Sequence, residues 1–317
     1  MCISQVGIYF PPDFLKFKKM THKTPLLLAG ILLILGSASC DSPTTSTEEN
    51  KEETIQIETK EYQRIVTLSG VVSEIVAELG LGDKIVGTDI TSTYPEAIQG
   101  LPKLGHITSV QAEGIISLQP DLVIAKKEEI KAELAQQLEA AGVKTLLVEQ
   151  EYSINGTKKL IETIAKELNQ LETANQINAT IDEDISKLEP LTSQPTAVFI
   201  YARGVGNMMV GGSNTSVAQL IQLAGGINGT NDFEEYKPLT AESMVAANPD
   251  LIILFESGMN SLQGADGIQQ IPSIAVTTAA KKNQFFALEG QYLAGFGPRV
   301  GKAALELNQK FKSITVE

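Results

Sequence analysis

Apolar residues follow two rhythms that take turns along this chain. Arg64 to Leu68 (R-I-V-T-L) is a short β-rich run. Val72, Ile75, Val76 and Leu79 then recur at helical spacing, with Gly80 set to end the helix. A second strand falls around Ile85 and Val86 in Lys84 to Gly87, and a third over Asp121 to Ala125. Ile130 to Ala141 reads as a helix, Thr145 to Val148 as a strand, and Leu160, Ile161, Ile164 and Leu168 as another helix. Ala174, Ile177, Ile181, Ile185 and Leu188 carry one apolar stripe through an otherwise polar stretch, which Pro190 and Pro195 end. The alternation then restarts. Ala197 to Tyr201 is a strand, Val217, Leu220, Ile221 and Ala224 a helix stopped by Gly225-Gly226, Asp250 to Phe255 a buried strand, and Phe285 to Leu288 a last short one. Strands alternating with helices predict an α/β fold with parallel sheets covered on both faces.

Two stretches echo each other. A-E-G-I-I-S-L-Q-P-D-L-V-I, from Ala112, matches A-E-S-M-V-A-A-N-P-D-L-I-I, from Ala241, at one constant offset (Glu113 to Glu242, Pro120 to Pro249, Asp121 to Asp250). Each reads as a short helix, a Pro-Asp turn and a buried strand. The expected architecture is therefore two Rossmann-like lobes, over 62–170 and 195–317, joined by one long α-helix over 171–190 with a ligand cleft between them. An acid in a first helical turn complements the macrodipole, and Thr240 is placed to cap the second helix. Neither effect explains why both lobes present a Glu at the equivalent position.

Composition narrows the chemistry. The 317 residues, 43% of them hydrophobic, allow about two domains with substantial cores. A formal net charge of -13 excludes nucleic acid as a partner, because phosphate binding needs a basic face. The two cysteines, Cys2 and Cys40, both precede the folded part, and the two histidines are His22 and His106. That leaves the folded part no disulfide, thiolate site, cysteine nucleophile or multi-histidine zinc site. No Gly-rich phosphate loop or nucleophile elbow points to an enzyme.

Upstream, Met20 begins a better start than Met1. M-T-H-K-T-P leads into an apolar run from Leu26 to Leu35 and then G-S-A-S-C, which has the grammar of a secretory signal. Small residues before Cys40 resemble a bacterial lipobox, although Ser37 stands where Leu is usual. Cys40 is then the expected lipidated first residue, against ordinary cleavage beside an incidental Cys. The Ser-, Thr-, Glu- and Lys-rich 41–61 reads as a flexible tether.

T-S-T-Y-P, Thr91 to Pro95, lies just beyond a strand end, where ligands bind in open α/β sheets. Tyr94 carries the one oxygen there suited to strong metal coordination, and Pro95 favours an extended Tyr94. A loop anchor and a metal donor both remain open on the residues alone.

From Arg64 to its end the chain resembles the substrate-binding proteins of bacterial ABC importers, in the cluster with a rigid interlobe helix, and most of all the heme-binding members. The matching residues are T-S-T-Y-P, L-P-K-L-G-H with Q-A-E-G-I, M-V-G-G at Met209, L-A-G-G-I-N, Y-K-P-L-T-A-E and G-F-G-P-R ending at Arg299. The resemblance implies a monomeric, lipid-anchored heme receptor that is not an enzyme and meets membrane permease arginines through Glu113 and Glu242. It also implies Tyr94 as axial iron ligand, a role in which tyrosine is known and phenolate oxygen suits ferric iron. Some relatives place a His near position 203; here Arg203 suits stacking on a porphyrin or pairing with a propionate, which favours iron held by Tyr94 alone. Met208, Met209 and Tyr236 are expected on the heme cleft. His106 is expected as an ordinary loop residue, with a contact at the ligand edge as the alternative, and Arg299 as a lock on the fold, with a propionate contact as the alternative. The same role with a ferric siderophore or corrinoid, or a surface sensor module, are the alternatives. A chelate without an open axial position leaves Tyr94 a packing role only.

Overall fold

A computed structural model describes residues 61–315. The expected leader, the Cys40 lipidation site and 41–60 of the tether lie outside these residues.

The first lobe holds strands β1 (Ile65–Leu68), β2 (Ile85–Thr88), β3 (Leu122–Lys126) and β4 (Thr145–Val148), all parallel in the order β2-β1-β3-β4. Its helices are α1 (Gly70–Val76), α2 (Ala112–Ser117), α3 (Ala132–Ala140) and α4 (Ile154–Glu167). α1 continues through a wider turn over Ala77–Leu81 that contains Gly80, whose φ of 85° favours a residue without Cβ. Every residue of β1 and β3 is buried, as continuous apolar strands covered on both faces require.

α5 (Leu171–Ser186) links the lobes, packing against α4 on one side and α13 (Val300–Thr315) on the other. It ends short of the expected 190. The second lobe contains β5 (Thr196–Ala202), β6 (Met208–Gly211), α6 (Ser216–Leu223), β7 (Ile227–Asn228), β8 (Tyr236–Pro238), α7 (Ala241–Ala247) and β9 (Leu251–Phe255). After these come α8 (Glu256–Ser261), α9 (Gly264–Gln269), α10 (Pro272–Ala275), α11 (Thr278–Lys281), β10 (Phe285–Leu288) and α12 (Gly290–Ala294). The expectation of parallel sheets is corrected here. In the order β10-β9-β5-β6-β8, strands β6 and β8 run antiparallel to their neighbours, and β7 adds to β5. The reason is local. Arg203–Asn207 forms a tight turn, with Arg203 N–H donating to Asn207 O at 2.9 Å and Gly204 at φ 83°. So short a link can join only antiparallel strands.

The echo has a structural basis in its Asp. Asp121 accepts from the N–H groups of Gln63 at 2.7 Å and Arg64 at 3.1 Å, at the start of β1. Asp250 accepts from Thr196 N–H at 2.9 Å, at the start of β5. Each carboxylate thus fixes the entry of the central strand beside its own. The Thr240 hydroxyl caps α7 by accepting from Ser243 N–H at 3.1 Å.

One hydrophobic cluster runs through both lobes beneath the cleft. It joins Val72 and Ile75 of α1, Ile161 and Ile164 of α4, Ile181 of α5, Phe199 of β5, Ile221 of α6 and Phe311 of α13. Burying such side chains stabilises by about 1.5–3 kcal/mol each. Continuous packing makes α5 a strut rather than a hinge.

Candidate functional site

Strands β1 and β2 of the first lobe and β9 of the second end at the same cleft, and the loops beyond those ends build its walls. In the first lobe the loop after β2 is organised by Asp89, which is buried. Its Oδ2 accepts from Thr91 N–H at 3.1 Å and its Oδ1 from the Ser92 hydroxyl at 2.6 Å. Ser92 reaches the Ser73 hydroxyl of α1 at 2.7 Å, and Lys103 Nζ donates to Ser92 O at 2.8 Å. Burial lowers the Lys103 pKa, with Asp89 acting in the opposite direction. The Tyr94–Pro95 peptide is cis.

The other support of this loop comes from Glu289–Arg299, nearly two hundred residues away. Glu289 caps α12, accepting from the N–H groups of Gln291 at 2.9 Å and Tyr292 at 2.8 Å, and it also accepts from the Thr93 hydroxyl at 2.8 Å. Gln291 Oε1 accepts from Thr93 N–H at 3.0 Å and Tyr94 N–H at 3.2 Å. Arg299 donates through Nε and Nη2 to the two carboxylate oxygens of Glu74, each at 2.9 Å. The Glu74 side chain is only 3% exposed. Desolvation works against the Arg299 charge, but Glu74 outweighs it and the pKa is raised. The same guanidinium lies over the Tyr94 ring at 3.6 Å and the Tyr292 ring at 5.0 Å. Burial first, and then the hydrogen bond to Glu306, raises the Tyr292 pKa.

The second lobe contributes aromatic surface. Phe255 ends β9 and stacks edge-on against Phe199 (4.9 Å) and Tyr201 (6.0 Å), and Phe199 meets Tyr236 at 6.3 Å. The Tyr236 phenol is pushed up to about 12 by desolvation, with smaller effects from Tyr152 and Tyr201.

Of these rings, Phe255 borders a cleft of about 710 Å³ that faces the loop after β2; Tyr201 and Tyr236, the latter expected on the cleft, are not among its lining residues. Thr91, Thr93, His106, Tyr152, Phe255 and Gln291 line it, whereas Tyr94 is half-buried beside them under Arg299. Its charged lining is mostly acidic. Asp89, Glu128, Glu129, Glu256 and Glu289 face a single lysine, Lys126. Lys126 is buried and bonds Glu129 at 2.6 Å and Gln150 at 3.1 Å. Desolvation opposes its charge, yet Glu129 and neighbouring acids raise its pKa.

His106 does reach the cleft, with Nδ1 held 2.9 Å from the Thr108 hydroxyl. Arg203 is exposed on the β5–β6 turn, its guanidinium 5.4 Å from the Tyr201 ring, beside Ser257 and Ser261. Met209 pairs with Tyr201 across the ladder, and side chains opposite each other share a face. Met208, expected on the cleft, pairs with Ala202 instead. It packs with Val198 and Ile200 on the other side of the sheet, because strand side chains alternate. Glu113 and Glu242 stand exposed in the first turns of α2 and α7. Asp89, Glu74, Lys126, Phe255 and Gln291 had no sequence expectation. For Phe255 the signal was present, an aromatic at the end of a buried strand.

The family profile described as periplasmic binding protein matches residues 65–292. In structure the chain is similar to the periplasmic heme-binding protein RhuT from Roseiflexus sp. RS-1 in its apo form. That likeness has 35% identity over 80% of this chain and 99% of that one, with a TM-score of 0.76. The ABC transporter substrate-binding lipoprotein YvrC of Bacillus subtilis is 26% identical over 307 residues, covering 89% of this chain and 93% of that protein. The vitamin B12-binding protein of Vibrio campbellii is 25% identical over 260 residues, covering 80% and 90%.

Proposed function

The chain belongs to the periplasmic binding protein family, and from that premise we propose that it is an extracytoplasmic receptor that captures heme between its lobes and delivers it to an ABC-type permease. Tyr94 holds the ferric iron as axial ligand, and Phe255, at the cleft end of the aromatic cluster, receives the flat ring. The observation that carries this reading is one cleft lined on one side by Thr91 and Thr93 of the loop that bears Tyr94 and on the other by Phe255, the cleft end of a stacked aromatic cluster. The likeness to a heme-binding protein at 35% identity supports it. Glu113 and Glu242, one on each lobe, meet cationic partners on the permease, and Cys40 with its tether keeps the receptor at the membrane.

A corrinoid is the second reading, and the acidic lining favours it. Corrinoid edges carry amides, whereas heme brings two carboxylates, which must turn away from Glu128 and Glu256 towards Arg203. Titrating the purified protein with hemin and with cyanocobalamin, followed by absorption, decides between them. The heme reading expects a ferric high-spin spectrum with hemin that Tyr94→Phe abolishes. Binding of cyanocobalamin alone, or a hemin spectrum indifferent to Tyr94→Phe, overturns it.

A further inference from the structure

Gln291 makes contacts that local packing of α12 does not require. Its side-chain oxygen accepts from Thr93 N–H at 3.0 Å and Tyr94 N–H at 3.2 Å. Its amide nitrogen donates to Gly70 O at 2.9 Å and to Glu74 Oε2 at 2.8 Å. An amide has distinct donor and acceptor ends, so these partners fix its orientation: only the oxygen can meet two N–H groups, and only the nitrogen a carbonyl and a carboxylate. Glu74 is in turn gripped by Arg299, whose guanidinium covers the Tyr94 ring. One buried carboxylate therefore holds Tyr94 twice, its backbone through Gln291 and its ring through Arg299. The remaining side has no slack. A Cβ on Gly70 would stand 2.8 Å from Thr91 O and 2.9 Å from Gln291 Oε1.

We infer that Gln291 is a positioning residue for Tyr94, setting where the phenol oxygen stands relative to a metal at the centre of a planar macrocycle. The inference rests on the heme reading for the identity of that metal complex; the positioning itself belongs to the fold. Coordination is steeply dependent on geometry, so a loop released by about 1 Å loses the bond without losing the cleft. Because Gln291 sits on α12, in the chain segment of the second lobe, the Tyr94 loop of the first lobe is set by direct contact with a residue of the other lobe.

Gln291→Met keeps side-chain length and removes every one of these hydrogen bonds. Two measurements test it. In amide hydrogen exchange followed by NMR, the Thr93 and Tyr94 N–H groups of the variant are expected to exchange at least about tenfold faster than in the parent. In hemin titration the variant is expected to bind through the remaining cleft contacts about 100-fold more weakly, as loss of the iron bond requires, and to lose the tyrosinate-to-iron signature in resonance Raman spectra. Asn308→Leu is the control. Asn308 is a buried amide that bonds Glu189 O and Ala224 O, away from the cleft, and its loss lowers the melting temperature while leaving the hemin spectrum intact. Unchanged exchange at Thr93 and Tyr94 overturns the inference, and so does a tyrosinate signature that survives Gln291→Met. If the parent takes up no hemin, the heme reading falls, and the exchange measurement still decides the positioning role.

Discussion

Opposite lobes line one cleft by different means. On the first lobe, Thr91, Thr93 and Tyr94 are held by hydrogen bonds and by the buried Glu74–Arg299 pair. On the second, the cleft-lining Phe255 is held by edge-to-face contacts with Tyr201 and the buried Phe199, which in turn meets Tyr236. The first kind of wall is directional and fails when one partner is lost, because a buried polar group is then stranded. The second is graded, since each ring contributes area and tolerates small shifts. A ligand with a polar, metal-bearing centre and a broad apolar face uses both.

The largest effect should come from breaking the directional wall at its buried charge. Arg299→Ala leaves Glu74 uncompensated and is expected to cost about 3–5 kcal/mol, read by denaturant unfolding. A cost below about 1 kcal/mol would mean that the carboxylate finds water and that the wall is not rigid. Next is Tyr94, the proposed iron ligand. Tyr94→Phe should weaken hemin about 100-fold and abolish the ligand band while barely moving stability, since the ring and its Arg299 contact remain. Phe255→Ala on the aromatic wall should weaken hemin only about tenfold and leave the band in place, with a stability loss of about 2 kcal/mol. If the two variants alter band and affinity alike, the distinction between the walls is lost.

The smallest effect is alkaline. The folded protein holds the Tyr236 proton more tightly than the unfolded chain, so stability is unaffected below about pH 10 and falls as pH rises towards about 12. The raised Lys126 acts in the same direction, its stabilisation being full below the ordinary lysine pKa and lost above it. Tyr236→Phe should remove part of that fall, no more than about 1 kcal/mol because the side chain is 39% exposed. Thermal melts between pH 9 and pH 11.5, compared for parent and variant, measure it; a steeper fall in the variant would contradict the assignment.

The sequence by itself determined the elements and their repeat. Periodicity in a strand or helix is set by neighbours a few residues apart, so Ile65–Leu68, Ile154–Glu167 and Leu251–Phe255 were legible as elements. The echo at Asp121 and Asp250 was legible for the same reason, as was the loop beyond β2 that carries Tyr94. Tertiary structure decided which side chains meet. Arg299 binds Glu74 across 225 positions, and Gln291 reaches Tyr94 across 197. No local pattern encodes such pairs, since they form only when the segment Glu289–Arg299 is folded against the first lobe. The face taken by Met208 was likewise settled by the register of β6 on β5, where a shift of one residue would exchange it with Met209.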